Sequence, residues 1–301
     1  MGQLQALKQE FEKAAIHCVC GEPMAKHTSF HIGGPARLFC TPSGAQQLAQ
    51  AIRLCRAYGV RYYVVGKGSN LLFSDAGFDG AVLSTARLAD APVFEGELVR
   101  AGAGLGLNAL CKAAAQHGLG GLEFAYGIPG SVGGAVYMNA GAYGGEIKDV
   151  LHSVAFLDDA GAVRTLPAGQ LELGYRTSVF ARTGWCVLEA LFQLKQADPG
   201  QIQEKMQQLM QRRIDKQPLE LPSAGSAFKR PQGAFAGALI EQCGLRGARV
   251  GGAAISEKHC GFIVNLGGAT CADVLALADL VQQTVQQKTG YTLEKEIRVV
   301  E

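Results

Sequence analysis

Two glycine-rich segments of this 301-residue chain carry residue types that could bind a phosphate or a flat cofactor. The first reads GKGSN over residues 66–70, directly after the apolar run VRYYVV. Gly66 and Gly68 permit backbone conformations that turn successive N–H groups inward, so the segment could form a nest for a pyrophosphate. The other three positions add a charge and polar side chains: Lys67, Ser69 and Asn70. Taken alone, the segment also fits an ordinary tight turn.

The second segment reads GIPGSVGGAVYMNAGAYGGE over residues 127–146 and contains seven glycines. Ser131 stands where it can cap a short helix, and Gly133 and Gly134 leave one face of that helix almost without side chains. A ring system or a diphosphate could lie against such a face, although close packing of a helix on a strand favours the same small residues. The candidate cofactor-binding positions here are Gly130, Ser131, Gly133, Gly134, Asn139 and Gly141. Together the two segments suit an elongated diphosphate cofactor held at two places.

Two common nucleotide motifs fit poorly. A P-loop would need glycine at Arg61 and a serine or threonine at Gly68, so that interpretation fails. The run GLGLNA over residues 104–109 matches a dinucleotide fingerprint between a predicted strand and a predicted helix. A six-residue match arises easily by chance, and no continuous βαβ repeat surrounds it, so it carries little weight.

The elements that must position these segments mix helices and strands throughout the chain, which predicts an α+β fold rather than an alternating βαβ array. The hydrophobic patterns predict helices over 1–16, 43–59, 107–118, 201–214, 234–242 and 271–288. They predict a final strand over residues 291–300 and a loop punctuated by proline over 217–231. A change in composition at residues 195–200 predicts a domain border near residue 198.

The net charge of +2 is too small for a sequence-independent grip on nucleic acid. The nine cysteines are odd in number and contain no CxxC, so we expect reduced thiols in a cytoplasmic protein and no redox pair. The first residues lack a signal-peptide core, and no apolar run approaches the ~18 residues of a membrane span. No metal-ligand motif occurs, so no catalytic metal is expected. Without a long apolar seam, the expected state is a monomer.

An ordered set of motifs resembles the UDP-N-acetylenolpyruvoylglucosamine reductase (MurB) family of peptidoglycan-synthesising flavoenzymes. The motifs are TSFHIGGPA, VVGKGSNLLFSDAGFDG, GIPGSVGGAVYMNAGAYGGE, YRTSVF, PSAGSAFKRP, KHCGFIVN and LEKEIRVV. Each is weak alone, but their order and spacing are specific, and they run from about residue 27 to the end of the chain.

Residues 1–26 lie outside the resemblance and are expected to form an N-terminal helix. The resemblance implies a FAD-binding module of the vanillyl-alcohol-oxidase (PCMH) type over 27–197. That module would have two subdomains, about 27–84 and 85–197, with FAD held non-covalently between them. An α+β substrate-binding domain would follow over 198–301. On this basis the glycines would let FAD lie against main chain.

The family's reaction, and residue roles that this sequence matches, are implied in the same way. NADPH would reduce the flavin, whose N5 would then pass a hydride to C3 of the enolpyruvyl ether of UDP-N-acetylglucosamine, giving UDP-N-acetylmuramate. Arg176 in YRTS would stabilise the enolate, Ser226 in AGSAF would protonate C2, and Glu296 in LEKEIRV would polarise the developing enol. Singly, these would more simply be an ion-pair arginine, a loop hydroxyl and an exposed strand residue.

Candidate substrate-binding residues surround the Ser226 motif. Lys216 and Lys229, with Arg213 nearby, could meet the UDP diphosphate, although a charge cluster is as often solvated surface. The remaining candidates are Tyr175 and Asn265. The short spacing between YRTS and Trp185 is similar to the branch of the family without the longer substrate-covering loop.

Two other functions compete with this interpretation. A flavin-dependent oxidase of the same fold, acting on an alcohol or a sugar, would leave Ser226 and Glu296 without a role. A nucleotide-sugar-binding regulator without catalysis would leave Arg176 unexplained as well.

Overall fold

The structure, a computed structural model, describes residues 2–301 as a mixture of helices and strands. The helices are α1 Gln3–Lys13, α2 Ala45–Ala57, α3 Leu107–Gln116, α4 Val132–Tyr137, α5 Val179–Thr183, α6 Pro199–Lys216, α7 Ala236–Gln242 and α8 Cys271–Thr289. The strands of the first half are β1 His17–Pro23, β2 Pro35–Thr41, β3 Tyr62–Val65, β4 Leu71–Phe73, β5 Phe78–Ser84, β6 Val93–Glu95, β7 Leu98–Gly102, β8 Leu119–Gly120, β9 Gly141–Ala142 and β10 Gly145–Glu146. Those of the second half are β11 Leu151–Leu157, β12 Val163–Pro167, β13 Cys186–Gln193, β14 Lys195–Gln196, β15 Ser223–Ser226, β16 Arg249–Val250, β17 Ala253–Ile255, β18 Phe262–Asn265 and β19 Arg298–Val300.

These strands form three larger sheets and three two-stranded pairs. The larger sheets have the orders β1-β2-β5-β3, β12-β11-β13-β7-β6 and β15-β18-β17-β16. The pairs are β10-β9, β14-β8 and β19-β4. The mixture of sheets and helices in both halves confirms the predicted α+β class.

Packing divides the chain into two units whose borders differ from the predicted domain borders. The first unit comprises residues 1–20, 38–67 and 80–212, and the second comprises 21–37, 68–79 and 213–301. The two short N-terminal insertions of the second unit are held by contacts with its C-terminal part, which no local pattern reveals.

Strand β19 pairs in parallel with β4, which brings the last residues of the chain beside residues 71–73. Asp75 accepts hydrogen bonds from the first backbone N–H groups of α8, those of Cys271 at 2.7 Å and Ala272 at 3.0 Å. Phe30, Ile32 and Leu72 are therefore buried in the same apolar core as α8.

The five-stranded sheet forms the centre of the first unit. Its middle strand β13 runs antiparallel to both β11 and β7. Phe156 of β11 lies in the core, edge-on to Phe180 at 5.5 Å and stacked on Trp185 at 4.8 Å between ring centres. Such aromatic pairs add to the free energy of area burial and fix the layer on which the site loops rest.

The long helix α8 anchors the second unit. Five of its apolar residues are buried at helical spacing: Val274, Leu277, Ala278, Val281 and Val285. A capping box between Thr270 and Asp273 begins the helix, and Gly290, at φ +78°, ends it in the left-handed region.

Several predicted elements have other bounds in the structure. Helix α2 begins at Ala45 behind Gly44, two residues after the predicted start at residue 43. The final strand predicted over 291–300 is wrong for its first seven residues, because only Arg298–Val300 find a strand partner. The predicted loop at 217–231 contains strand β15. None of the helices over residues 2–301 combines the length and apolar character that crossing a bilayer requires.

Candidate active site

Three loops of the first unit meet at the two glycine-rich segments. Leu107 N–H donates to Gly130 C=O at 3.1 Å, and Val132 N–H donates to Leu105 C=O at 2.8 Å. A side chain at Gly66 would collide with the Ser131 hydroxyl, so the first segment lies directly against the second.

Lys67 extends this contact to the loop before α3. A Cβ at Gly106 would lie 2.6 Å from the Lys67 ammonium nitrogen. The cation therefore lies over bare main chain at the junction of the three loops. The GLGLNA run is part of this junction, although its fingerprint spacing alone carried little weight.

Helix α4 begins as predicted and separates the roles of its two glycines. The Ser131 hydroxyl accepts a hydrogen bond from Gly134 N–H at 3.3 Å and caps the helix. A Cβ at Gly133 would lie 2.9 Å from the Ala103 Cβ, so this glycine serves close packing. Gly134 is exposed, and its Cβ would have Ser131 Oγ as its nearest neighbour, at 3.4 Å. The bare face of the helix is therefore at Gly134.

This junction fits a ligand that carries phosphates and a flat ring. It combines an uncovered peptide surface at Gly134 with the Lys67 cation and the Ser131 turn. Backbone N–H groups and one cation neutralise phosphate, while a side-chain-free surface admits a planar ring.

The remaining residues of the first segment belong to the second unit. Gly68 has φ +62°, and a side chain there would collide with the His27 carbonyl. The Asn70 amide donates to the Glu296 carbonyl at 3.2 Å. Within this unit Asn70 therefore helps to hold the backbone of a predicted catalytic residue.

Asn139 is buried and uses its side chain to organise the end of the second segment. Its amide donates to Glu146 Oε2 at 2.9 Å and to Gly174 C=O at 3.0 Å, and its Oδ1 accepts from Lys148 N–H at 2.9 Å. Both amide hydrogens thus bond to protein groups, which makes Asn139 a positioning residue rather than a direct side-chain ligand.

Arg176 lies at the tip of a tight turn that Asn139 fastens. Gly174 and Thr177 exchange backbone hydrogen bonds at 3.1 and 3.3 Å, which leaves Tyr175 and Arg176 at the tip. Arg176 has φ +56°, a conformation that costs an L-residue roughly 1–2 kcal/mol. Its guanidinium donates to Gly141 C=O at 3.2 Å, so the turn is tied to the glycine-rich segment at two points.

The Arg176 charge also reaches the carboxylate of Glu146. The pKa of Glu146 is lowered, first by its hydrogen bond with Lys148 and further by Asn139 and Arg176. Glu146 therefore stays ionised beside the turn, with Lys148 Nζ at 2.8 Å. A neighbouring carboxylate restrains the guanidinium without burying it.

In the second unit, a β-bulge sets the position of Ser226. Ser223 pairs with Val264 and Ser226 pairs with Phe262, so β15 has one residue more than β18 between these pairs. Gly225 supplies the left-handed conformation at φ +77°. Bulges redirect the next side chain and occur often beside active sites.

Glu296 lies next to this bulge. Its backbone N–H donates to the carbonyl of Ala227 at 2.8 Å, and Phe228 and Lys295 form an isolated bridge. The second unit thus brings the backbones of Ser226 and Glu296 together, whereas Arg176 belongs to the first unit. Sequence reasoning contained no signal for the bulge.

The predicted substrate-binding residues have different surroundings. Lys229 forms an ion pair with Glu294, and Lys216 is exposed at the end of α6. Tyr175 is 49% exposed, and Arg176 lies 5.5 Å from its ring centre. Asn265 is buried and bonds to Phe30 C=O at 3.1 Å and to the N–H groups of two residues that follow it, so it holds its own loop.

His259 packs against two glycines of the second unit. Its ring lies against Gly237 and Gly261, and its Nδ1 accepts the Gly261 N–H at 3.0 Å. Burial lowers the pKa of His259, and the charges of Arg246 and Lys216 add to this effect. The imidazole therefore serves as a neutral packing group.

Two protein-family models match the chain. Residues 36–167 match the FAD binding domain, and residues 217–300 match the C-terminal domain of UDP-N-acetylenolpyruvoylglucosamine reductase. The two matched regions fall in the parts of the chain that contain the three-loop junction and the Ser226 bulge.

Relatives cover nearly the whole chain. The UDP-N-acetylenolpyruvoylglucosamine reductase of Lachnoclostridium phytofermentans is 50% identical over 301 residues, 99% of this chain and 96% of the relative. That of Clostridium perfringens is 46% identical over 92% of this chain and 91% of its own length. The crystal structure of UDP-N-acetylenolpyruvylglucosamine reductase from Thermus caldophilus aligns with a TM-score of 0.79 and 37% identity, over 95% of this chain and 99% of that one.

Proposed function

Because the chain belongs to the UDP-N-acetylenolpyruvoylglucosamine reductase family, we propose that it reduces the enolpyruvyl ether of UDP-N-acetylglucosamine to UDP-N-acetylmuramate. NADPH is the co-substrate and FAD the bound cofactor, which makes the chain a flavin-containing oxidoreductase of peptidoglycan synthesis. The observation that carries the proposal is the 50% identity to a reductase over 99% of the chain. The three-loop junction supports it independently, since it suits a flavin dinucleotide.

The residues that would hold FAD are Gly66, Lys67, Ser131 and Gly134 in the first unit. Their glycines expose peptide groups, and Lys67 supplies the positive charge that a diphosphate requires. FAD held there would supply hydride transfer from NADPH to C3 of the enolpyruvyl group. Gly133 and Asn139 shape the same loops from behind, by packing and by hydrogen bonding.

Ser226 is the proposed proton donor to C2 of the enolpyruvyl group. A hydroxyl is a weak acid in water, but an enolate carbon is basic enough to take its proton when the two are held at hydrogen-bond distance. The bulge at Gly225 supports this role because it fixes the conformation of the chain directly before the serine.

Arg176 is the proposed partner of the substrate carboxylate, on which negative charge accumulates as C3 receives the hydride. A guanidinium fork matches a carboxylate and stabilises developing charge more in a fixed position than on a mobile side chain. The left-handed conformation of Arg176 and its bond to Gly141 support a fixed position.

Glu296 is the proposed group that polarises the developing enol. Its backbone is held from two sides, by Ala227 and by the Asn70 amide. Lys216, Lys229 and Tyr175 remain candidates for the UDP portion of the substrate, because all three side chains are at least partly exposed. Cytoplasmic location and a monomeric state remain predictions.

Product analysis tests this function against the oxidase and the regulator. With NADPH and the enolpyruvyl substrate, the purified flavoprotein should form UDP-N-acetylmuramate in step with NADPH consumption. Peroxide release from an alcohol or a sugar, without reduction of the enolpyruvyl ether, would support the oxidase. Purified protein that cannot retain flavin would support the binding regulator and overturn the proposal.

A further inference from the structure

Four of the nine thiols lie together in the first unit, where the proposed reaction does not use them. Cys18 and Cys20 are on β1, Cys40 is on β2 and Cys55 is on α2. Cys40 and Cys55 are completely buried, Cys18 is half-buried and Cys20 is exposed. Their number and spacing in the sequence predicted no redox pair, and only the pairing of β1 with β2 brings two of them together.

The hydrogen bonds next to the first strand pair indicate a register that sets Cys18 opposite Cys40. Strands β1 and β2 are neighbours, and each has seven residues. Between them along the chain, Met24 N–H donates to Gly34 C=O at 3.0 Å and Ala25 N–H to Gly33 C=O at 3.1 Å, so the two segments run antiparallel. Continued along β1 and β2 without a bulge, this pairing sets Cys18 opposite Cys40 and Cys20 opposite Leu38.

The electrostatic surroundings of Cys40 agree with this register. The pKa of Cys40 is raised, first by its hydrogen bond with Cys18 and then by burial. Burial raises the pKa of Cys55 to about 12, and the nearby Cys18 adds to this. Directly opposite residues of an antiparallel pair have Cβ atoms about 4.5–5.5 Å apart, close to the roughly 3.5–4.5 Å that a disulfide needs.

Accessibility assigns different roles to the two thiols. Cys40 is buried and keeps its proton, whereas an oxidant can reach the half-buried Cys18. The Lys8 ammonium lies beside this edge: its pKa is raised, mainly by its hydrogen bond with Glu12 and further by Cys20 and Cys18.

We propose that Cys18 and Cys40 form a reversible cross-strand disulfide when the protein meets a hydroperoxide. The Cys18 thiolate attacks one peroxide oxygen, the O–O bond breaks, and a sulfenic acid forms with release of water or an alcohol. The Cys40 sulfur then attacks the Cys18 sulfur, the S–O bond breaks, and the Cys40 proton leaves with the hydroxide as water. The two thiols lose two electrons, which reduce the peroxide, and a small thiol reverses the bond by exchange.

This bond would protect Cys18 from irreversible oxidation and would tie the N-terminal strand to its neighbour. Sulfinic acid forms when no second thiol resolves the sulfenic acid, and Cys40 is placed to do so. Closing the chain between residues 18 and 40 restricts the unfolded state, so the oxidised protein should unfold a few degrees higher than the reduced protein.

Peptide mapping tests the pair directly. FAD-loaded protein with all of its thiols reduced is treated with about one equivalent of hydrogen peroxide. It is then alkylated with N-ethylmaleimide and digested for mass spectrometry. The expected species is a Cys18–Cys40 linked peptide pair, lighter than the two thiol peptides by two hydrogen atoms and lost on treatment with dithiothreitol. The Cys20→Ser variant should retain it, and Cys18→Ser should lose it while leaving Cys40 alkylatable only after unfolding.

Other products would overturn the proposal. These are a Cys18 sulfinic acid without any link, a disulfide between Cys18 and a thiol other than Cys40, or covalent dimers joined through Cys20. Mapping of the unsubstituted protein decides among them even if a cysteine variant fails to fold.

Discussion

Arg176 is held in a backbone conformation that residues other than glycine rarely adopt. Its φ of +56° suits glycine, yet the position has a long charged side chain bonded to Gly141. A strained non-glycine residue on a tight turn points to function, because stability alone would select against it. The same turn is fastened by Asn139, whose amide bonds to Gly174.

Substitution of Arg176 separates backbone strain from chemistry. Arg176→Gly and Arg176→Ala should both slow reduction of the enolpyruvyl substrate about 10²–10³-fold, as expected for loss of a charge-stabilising donor. The glycine variant should be about 1 kcal/mol more stable than the alanine variant, because only glycine relieves the positive φ. Stopped-flow kinetics and denaturant unfolding measure the two effects. Arg182→Ala, which breaks an exposed ion pair with Glu172, is the control and should change neither.

Ser226 allows the two half-reactions to be told apart. Ser226→Ala should leave flavin reduction by NADPH nearly unchanged and slow substrate reduction about 10²–10⁴-fold, the usual contribution of a positioned proton donor. Thr284→Ala is the control, since its exposed hydroxyl donates to Leu280 C=O at 2.8 Å within helix α8 and makes no contact with the Ser226 bulge. Equal losses in both half-reactions would contradict the proton-donor role.

At the scale of elements, helix α4 combines two glycines with opposite requirements. A Cβ at Gly133 would press on Ala103, whereas one at Gly134 would only touch the Ser131 hydroxyl, at 3.4 Å. Sequence reasoning weighed ligand contact and close packing as alternatives for the whole helix. The structure gives close packing to Gly133 and leaves Gly134 exposed.

Alanine substitutions at these two positions should therefore act in opposite ways. Gly133→Ala should destabilise the apoprotein by about 1–3 kcal/mol through overpacking. Gly134→Ala should stabilise it by up to about 1 kcal/mol, because alanine favours helix, yet weaken FAD binding about 10–100-fold by inserting a methyl group under the cofactor. Thermal unfolding and flavin fluorescence titration check both. Unchanged FAD affinity in Gly134→Ala would contradict the proposal that FAD lies against the peptide surface at Gly134.

The first turn of α8 makes a pH-dependent contribution to stability. The pKa of Asp273 is lowered below its usual value of 3.8, first by the N–H of Thr270 and then by that of Gly252. A lowered folded-state pKa gives stability that is complete above the unfolded-state pKa and is lost as the pH falls through the folded value. Asp273→Asn should thus be less stable than the unsubstituted protein at neutral pH, and the difference should shrink below about pH 4.

Urea unfolding across that pH range measures this effect. The control is Asp279→Asn, which removes a surface partner of Lys295 and caps no helix. A difference for Asp273→Asn that stays constant from neutral to acid pH would contradict the capping interpretation.

Local patterns predicted most helices, and they failed where distant chain segments decide the structure. The apolar stripe of α1 correctly buries Leu7 and Phe11, and Ser131 caps α4 as its residue type suggested. The residues before Arg298 form no strand, since only three residues reach the partner strand β4. The bulge before Ser226 depends on pairing with β18, a contact 36 residues away along the chain (Ser226 to Phe262), which no local pattern encodes.

At the scale of the whole molecule, the order of the motifs predicts the family but not the contacts of each site residue. The ordered motifs identified the family, and the relatives at 50% identity confirm it. The side chains of Asn139 and Asn265 are bonded to protein groups, because a buried amide must satisfy its donors wherever the fold supplies acceptors. Residues that hold a loop in place and residues that contact a ligand are often of the same type, so spacing in the sequence could not separate them.

An anaerobic two-step titration tests the central claim most directly. Addition of NADPH to the purified protein should bleach the absorbance of bound oxidised flavin, and the enolpyruvyl ether of UDP-N-acetylglucosamine should then restore it with one equivalent of UDP-N-acetylmuramate formed. Flavin that NADPH does not reduce, or reduced flavin that dioxygen reoxidises but the enolpyruvyl ether does not, would contradict the account.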